Sequence, residues 1–276
     1  MAGTTKPKTL FVTGGMSGLG KALAAIYLGR GANVAIFDLA VNEEVMAELG
    51  RHKLRETQKL VAYAASVTDM EALSGAVSEA VKVIGIPELA INCAGIQRAA
   101  PFEQLSGADF ELVVQVNLFG SRNFAAAVLP FLGEGSRLAL VSSMAGFAAN
   151  YSYAAYNASK FAVIGLGRVL RLELKPRGID VSLICPPEVD TPMVVEESKN
   201  MHPVSRTLKD FAGTLSVDEA MAGILAGLDA GRHVIIPGYK ARFAYLMNRY
   251  LPDFLMNGIV DRIVRSVLSR MDRGVA

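Results

Sequence analysis

The chain has 276 residues, of which 51% are hydrophobic, and a formal net charge of only +2. That length carries one large α/β core without division, and the small charge, with no basic run or aromatic ladder, argues against nucleic acid. The two cysteines, Cys93 and Cys185, lie in apolar segments and supply no disulfide framework, which suits a reducing compartment.

The opening segment MAGTTKPKTL lacks the apolar centre of a signal peptide and leads into a strand, so a cytoplasmic protein is expected. Apolar or β-branched runs then alternate with helical patterns: TLFVT, NVAIFD, LVAYAA, ELAINCAG, RLALVSS, DVSLICP and HVIIPG are the strands. Seven strands with intervening helices predict a Rossmann-type, doubly wound parallel sheet in a single domain, residues 1–238, followed by a helical extension, 239–276. In such sheets chemistry sits just beyond the carboxyl ends of the strands.

After the first strand comes TGGMSGLG, opening the helix KALAAIYLGRG. Gly14, Gly18 and Gly20 permit a tight turn, approach of a phosphate to backbone N–H groups, and close packing of helix on sheet. Ser17 and Leu19 complete this turn. The second strand ends at Asp38, about 20 residues on, where a carboxylate accepts hydrogen bonds from the adenosine ribose and repels a 2′-phosphate. With Met16 and Ser17 rather than a cation before Gly18, the expected cofactor is NAD.

Further along, YNASK places Tyr156 and Lys160 at i and i+4 on one helix face. A lysine charge beside a phenol favours the phenolate and suits the tyrosine to acid/base work. An isolated Tyr-x-x-x-Lys is more often a solvated pair, so the other segments decide. The three histidines have no ligand spacing, and no catalytic metal is expected.

TGGMSGLG, NCAG (Asn92–Gly95), VNLFG around Asn117, VSSMAG with Ser143, and YNASK resemble, in order and spacing, the classical short-chain dehydrogenases/reductases over about residues 8–238. The resemblance implies a catalytic tetrad of Asn117, Ser143, Tyr156 and Lys160. In it Tyr156 exchanges a proton with the substrate oxygen, Ser143 hydrogen-bonds that oxygen, Lys160 holds the nicotinamide ribose, and Asn117 holds a water in the proton path to Lys160. It also assigns Asn92, Ala94 and Gly95 to the wall beside the adenosine ribose, Thr191 to the nicotinamide carboxamide, and Pro186 and Val189 to the cofactor site. Two departures stand out. Ser66 replaces the usual Asp, leaving the Ser66 hydroxyl and the Val67 backbone to meet the adenine, and PPEVDTP carries Pro187 where Pro-Gly is usual. The latter wording is similar to the 3-ketodihydrosphingosine reductase branch, which is usually NADPH-linked, against the expectation from Asp38.

Around Ser143, Tyr156 and the loop after Thr191 the sequence offers Met144, Phe147, Tyr153, Pro187, Met193 and Val194 as substrate contacts. With no cation placed to clamp an acid, the expected substrate is a lipophilic alcohol or ketone, steroid-like or long-chain, the alternatives being a 3-ketosphinganine-type lipid ketone or a non-catalytic NAD-binding sensor. The resemblance implies a homodimer or homotetramer built on the long helices around VVQVNLFG and YNASK. From Lys240 onward there are seven Lys/Arg and three Asp, and Met256, Ile259, Val260, Ile263, Val264, Val267, Leu268 and Met271 form one stripe. That stripe packs on the body or a second subunit, or rests at a membrane surface as a peripheral contact.

Overall fold

The computed structural model describes residues 6–198 and 201–273. Six strands follow the apolar runs closely: β1 (Thr9–Thr13), β2 (Asn33–Asp38), β3 (Leu60–Ala64), β4 (Leu89–Asn92), β5 (Arg137–Val141) and β6 (Asp180–Ile184). A short pair, β7 (Glu188–Val189) and β8 (Thr214–Leu215), stands apart, and β9 (Val234–Ile235) is reduced to two residues of the HVIIPG run. The central sheet has the order β3-β2-β1-β4-β5-β6-β9 with every pairing parallel. The order reverses between β1 and β4, and ligands bind at such a switch point.

Between the strands lie α1 (Gly18–Gly29), α2 (Glu43–Gly50), α3 (Met70–Ile84), α4 (Gly107–Val114), α5 (Gly120–Val128), α6 (Ala154–Leu174), α7 (Pro192–Ser198), α8 (Pro203–Ala212) and α9 (Val217–Asp229). Side chains alternate across a strand. In β1, Leu10 and Val12 therefore join Leu23, Tyr27, Met221 and Ile224 on one side. Phe11 meets Leu73, Val77 and Phe124 on the other. Both faces are dry, which is why the strands read as continuous apolar runs.

The extension folds as α10 (Tyr239–Tyr250) and α11 (Asp253–Asp272), and both pack on α8. Among the described residues no helix is long and apolar enough to cross a membrane.

Candidate active site

At the carboxyl end of the sheet a cleft of about 560 Å³ runs from the glycine turn to the extension. Gly14 (φ +63°) and Gly18 (φ +50°) hold the turn in the left-handed region. A Cβ on Gly20 would lie 2.2 Å from Gly14 O, so only glycine lets α1 begin this close to β1. The Ser17 side chain does not cap α1, and Ser17, Gly18, Leu19 and Gly20 line the cleft. A helix N-terminus open in this way suits a pyrophosphate.

Asp38 lines the same end. Its carboxylate accepts hydrogen bonds from Met16 N at 2.9 Å and Leu39 N at 2.8 Å, tying the glycine turn to β2 while leaving lone pairs for a diol. Lys160 and Lys209, both at the opposite end, are the only cations lining the cleft among the described residues. The donor set thus fits a nicotinamide dinucleotide.

Ala94, Gly95, Ser66 and Val67 line the cleft. The Ser66 hydroxyl is engaged with Thr68 at 2.8 Å, and Val67 O accepts from Asn123 Nδ2 at 2.9 Å. Asn92 differs from expectation. Its side chain is buried, accepting from Thr13 Oγ1 at 2.6 Å and donating to Ser121 Oγ at 3.0 Å, so it joins β4 to β1 and α5 rather than reaching the cleft. Pro186, Pro187, Val189, Thr191, Met193 and Val194 form the opposite lip. A Cβ on Gly18 would lie 3.8 Å from Thr191 Cγ2, which places Thr191 over the glycine turn.

Ser143, Tyr156 and Lys160 meet at the cleft floor. Asn157 fixes the Ser143 and Tyr156 segments together, donating to Ala145 O at 2.7 Å and Ala148 O at 2.8 Å. The Ser143 hydroxyl reaches Pro186 O only at 3.5 Å, a weak bond that is readily exchanged for another acceptor. Lys160 Nζ lies 5.5 Å from the Tyr156 ring centroid and donates to Val141 O at 3.0 Å. Burial holds this ammonium down to about pKa 8, although Cys185 and Cys93 pull the other way.

Asn117 is fully buried in a π-helical turn, Gln115–Phe119, inserted between α4 and α5. Such turns recur at functional sites. Its carboxamide accepts from Ile96 N at 2.8 Å and donates to Ile96 O at 2.9 Å and Ser159 Oγ at 3.0 Å. Asn117 thereby locks the loop after β4 and does not itself line the cleft.

Of the substrate contacts expected from sequence, Met144, Tyr153, Pro187, Met193 and Val194 line the cleft. Phe147 does not. Its ring packs edge-on against Tyr245 of α10, centroids 4.7 Å apart, where it anchors the extension. Sequence reasoning missed the rest of the wall: Gln97 and Asn150, then Leu208, Lys209, Phe211 and Ala212 of α8, and Ala244 and Met247 of α10. The roof is α11, which contributes Met256, Val260, Ile263 and the more exposed Ile259. The stripe was legible as a pattern, but what it covers depends on packing against α8. Residues on both sides of Gly238 thus build one cleft.

Glu188 holds the α8 wall in place. Its buried carboxylate meets Arg206 at 2.9 Å, Lys209 at 3.0 Å and Thr214 Oγ1 at 2.9 Å. Burial pushes its pKa up, but the bonds and charges of Lys209, with Arg206 and Thr214, outweigh that and hold it below the ordinary carboxylate value.

The short chain dehydrogenase family model matches residues 8–202. The chain belongs to the short-chain dehydrogenases/reductases. As in other members of this oxidoreductase family, its sheet carries the cleft at one end. It is 34% identical to 3-dehydrosphinganine reductase TSC10B of Arabidopsis thaliana, over 83% of this chain and 70% of the relative. Identity to 3-ketodihydrosphingosine reductase of Mus musculus is 32%, over 68% of this chain but only 58% of the relative's length. Oxidoreductase UcpA of Salmonella typhimurium is 32% identical, over 71% of this chain and 74% of its own. Among solved structures, a dehydrogenase/reductase from Sinorhizobium meliloti superposes with TM-score 0.72 at 29% identity, covering 85% of this chain and 94% of that one. A short chain dehydrogenase from Mycobacterium paratuberculosis bound to NAD gives TM-score 0.75 at 23% identity, covering 84% and 96%, a likeness of fold.

Proposed function

We propose that this enzyme is an NAD(H)-dependent oxidoreductase that interconverts a secondary alcohol and a ketone on a long-chain lipophilic substrate. The observation that carries the reading is the roofed apolar cleft, in which the α11 stripe and α8 close over the floor where Ser143 and Tyr156 meet. Similarity to two 3-ketosphinganine reductases supports a lipid ketone over a steroid. A non-catalytic sensor has no use for Asn117, Ser143, Tyr156 and Lys160 brought together.

When bound, the nicotinamide supplies or accepts the hydride. Ser143 donates a hydrogen bond to the substrate oxygen and stabilises the charge that develops there. Tyr156 delivers the proton to that oxygen in reduction and removes it in oxidation. Lys160, still cationic below about pH 8, stabilises the phenolate left behind and holds the nicotinamide ribose. Asn117, its carboxamide committed to Ile96 and Ser159, acts as a positioning residue that holds the loop after β4 against α6.

The reading is tested by NADH oxidation with ketones of increasing chain length. The value of kcat/KM is expected to rise about fourfold per added buried CH2 until the cleft is filled; rates indifferent to length would refute a lipophilic substrate. Cofactor choice is tested separately. Asp38→Ala should weaken NADH and narrow the NADH/NADPH preference in kcat/KM about tenfold or more, because a ribose acceptor and a repulsive charge both leave. An unchanged preference would assign the choice to another residue.

Two surfaces suit partners. Phe161, Val169 and Leu172 on α6, with Leu112 and Phe119 nearby in sequence to Asn117, are exposed apolar residues on the helices expected to join copies of the chain. On the outer side of the extension, Tyr239, Phe243, Leu246 and Tyr250 follow one helical face, with Phe254 beyond. Exposed Lys240, Arg242 and Arg249 accompany them. This face, rather than the inward stripe, is suited to peripheral contact with an anionic lipid surface. A Phe243→Ser, Tyr250→Ser, Phe254→Ser variant is expected to keep its oligomeric mass in light scattering and to lose sedimentation with anionic vesicles. Equal sedimentation of both proteins would rule this face out.

A further inference from the structure

The roof over the cleft has little apolar anchorage of its own. None of the 20 residues of α11 is buried, and the helix packs on α8. Of the ten residues of α8, only Val204 and Ser205 are buried. A helix that buries so little takes its position from specific bonds more than from packed area.

Those bonds converge on one carboxylate. Arg206 and Lys209, one turn apart on α8, both donate to Glu188, at 2.9 Å and 3.0 Å. Glu188 sits on β7, its side chain only 3% exposed, and takes a third bond from Thr214 Oγ1 of β8 at 2.9 Å. The two strands are fixed to each other by backbone, with Glu188 opposite Thr214 and Asp190 N donating to Leu215 O at 3.0 Å. Glu188 therefore fastens α8 to the lip that carries Pro187 and Val189. Bonds from cations to a carboxylate are about twice as strong as neutral ones. Lys209 lines the cleft, whereas Arg206 does not and is 39% exposed.

We infer that Glu188 is a positioning residue that sets the height of α8 and of the α11 roof above it, and thereby how tightly a long substrate chain is held relative to a short one. The inference rests on the lipophilic reading and deepens it. A short ketone occupies the floor at Ser143 and Tyr156, while a long chain also touches α8 and α11. A radial gap of about 0.5–1 Å forfeits a quarter to a half of each dispersion contact, so a small lift of α8 weakens the long substrate selectively.

The test compares NADH-dependent reduction of a short and a long straight-chain ketone by the wild type, Glu188→Gln and Arg206→Met. In both variants the long-over-short preference in kcat/KM is expected to fall about tenfold, through a higher KM for the long ketone with kcat retained, and the short ketone to change about twofold or less. Arg206→Met decides, because it alters no residue of the cleft wall. An unchanged preference in Arg206→Met overturns the inference, and a loss confined to Glu188→Gln would make Glu188 a direct substrate contact instead. Equal losses for short and long ketones also overturn it, since they mark a merely structural role. A wild type indifferent to chain length has a different meaning: it defeats the lipophilic reading and the selectivity built on it. The hold on the roof is then decided by hydrogen exchange, in which amides of α8 and α11 should exchange faster in Arg206→Met while those of α1 and α3 do not change. Unaltered protection of α8 and α11 would show that Glu188 does not position them.

Discussion

Tyr156→Phe is expected to bind NADH as the wild type does and to lose turnover by about 10³-fold or more. The ring stays in place on α6, packed edge-on to Tyr153 with centroids 6.2 Å apart, so the substitution removes the transferable proton and little else. General acid/base groups contribute ~10²–10⁴ to rate, and the Ser143 hydrogen bond cannot replace a proton. Because the loss falls on the chemical step, kcat and kcat/KM should drop together. A variant with near-normal kcat at saturating substrate would remove Tyr156 from the mechanism.

Lys160→Met is expected to cost about 10²-fold or more in kcat/KM, and its pH behaviour identifies why. In the wild type, burial lowers the ammonium from its ordinary 10.5 to about 8. Below that value the charge is present and supports the phenolate; above it the charge is lost, so activity of the free enzyme should fall. The same buried charge burdens the fold. Between about pH 8 and 10.5 the unfolded chain binds the proton that the folded chain has released, so stability rises with pH across that window and the full cost of the buried charge is felt below it. Melting temperatures at pH 7 and pH 10 should therefore show the wild type gaining on Lys160→Met as pH rises. A difference that does not change with pH would mean the lysine is not desolvated.

Local sequence carried most of the sheet, because a strand buried on both faces is a run of apolar residues whatever it packs against. It also carried the floor of the site. Tyr156 and Lys160 are joined by helical spacing, and Asp38 and the glycine turn follow strand ends directly. What escaped depends on side-chain direction and on distant pairing. Phe147 is near Ser143 in sequence but turns to Tyr245, and Asn92 sits in the right segment yet spends its amide on Thr13 and Ser121. Glu188 passed unremarked in PPEVDTP, where only Pro187 stood out, since its role needs Arg206 and Lys209, 18 and 21 residues away. The stripe of α11 announced a buried face without saying that α8 and the cleft lie beneath it.

The most direct measurement follows the hydride itself. The enzyme is given NADH deuterated at the transferring position and a long-chain ketone, and the product alcohol is examined by mass spectrometry. A single deuterium on the carbinol carbon, formed by the wild type and reduced about 10³-fold or more in rate with Tyr156→Phe, is the predicted result. Product without the label, or label transferred equally fast by Tyr156→Phe, would contradict the account.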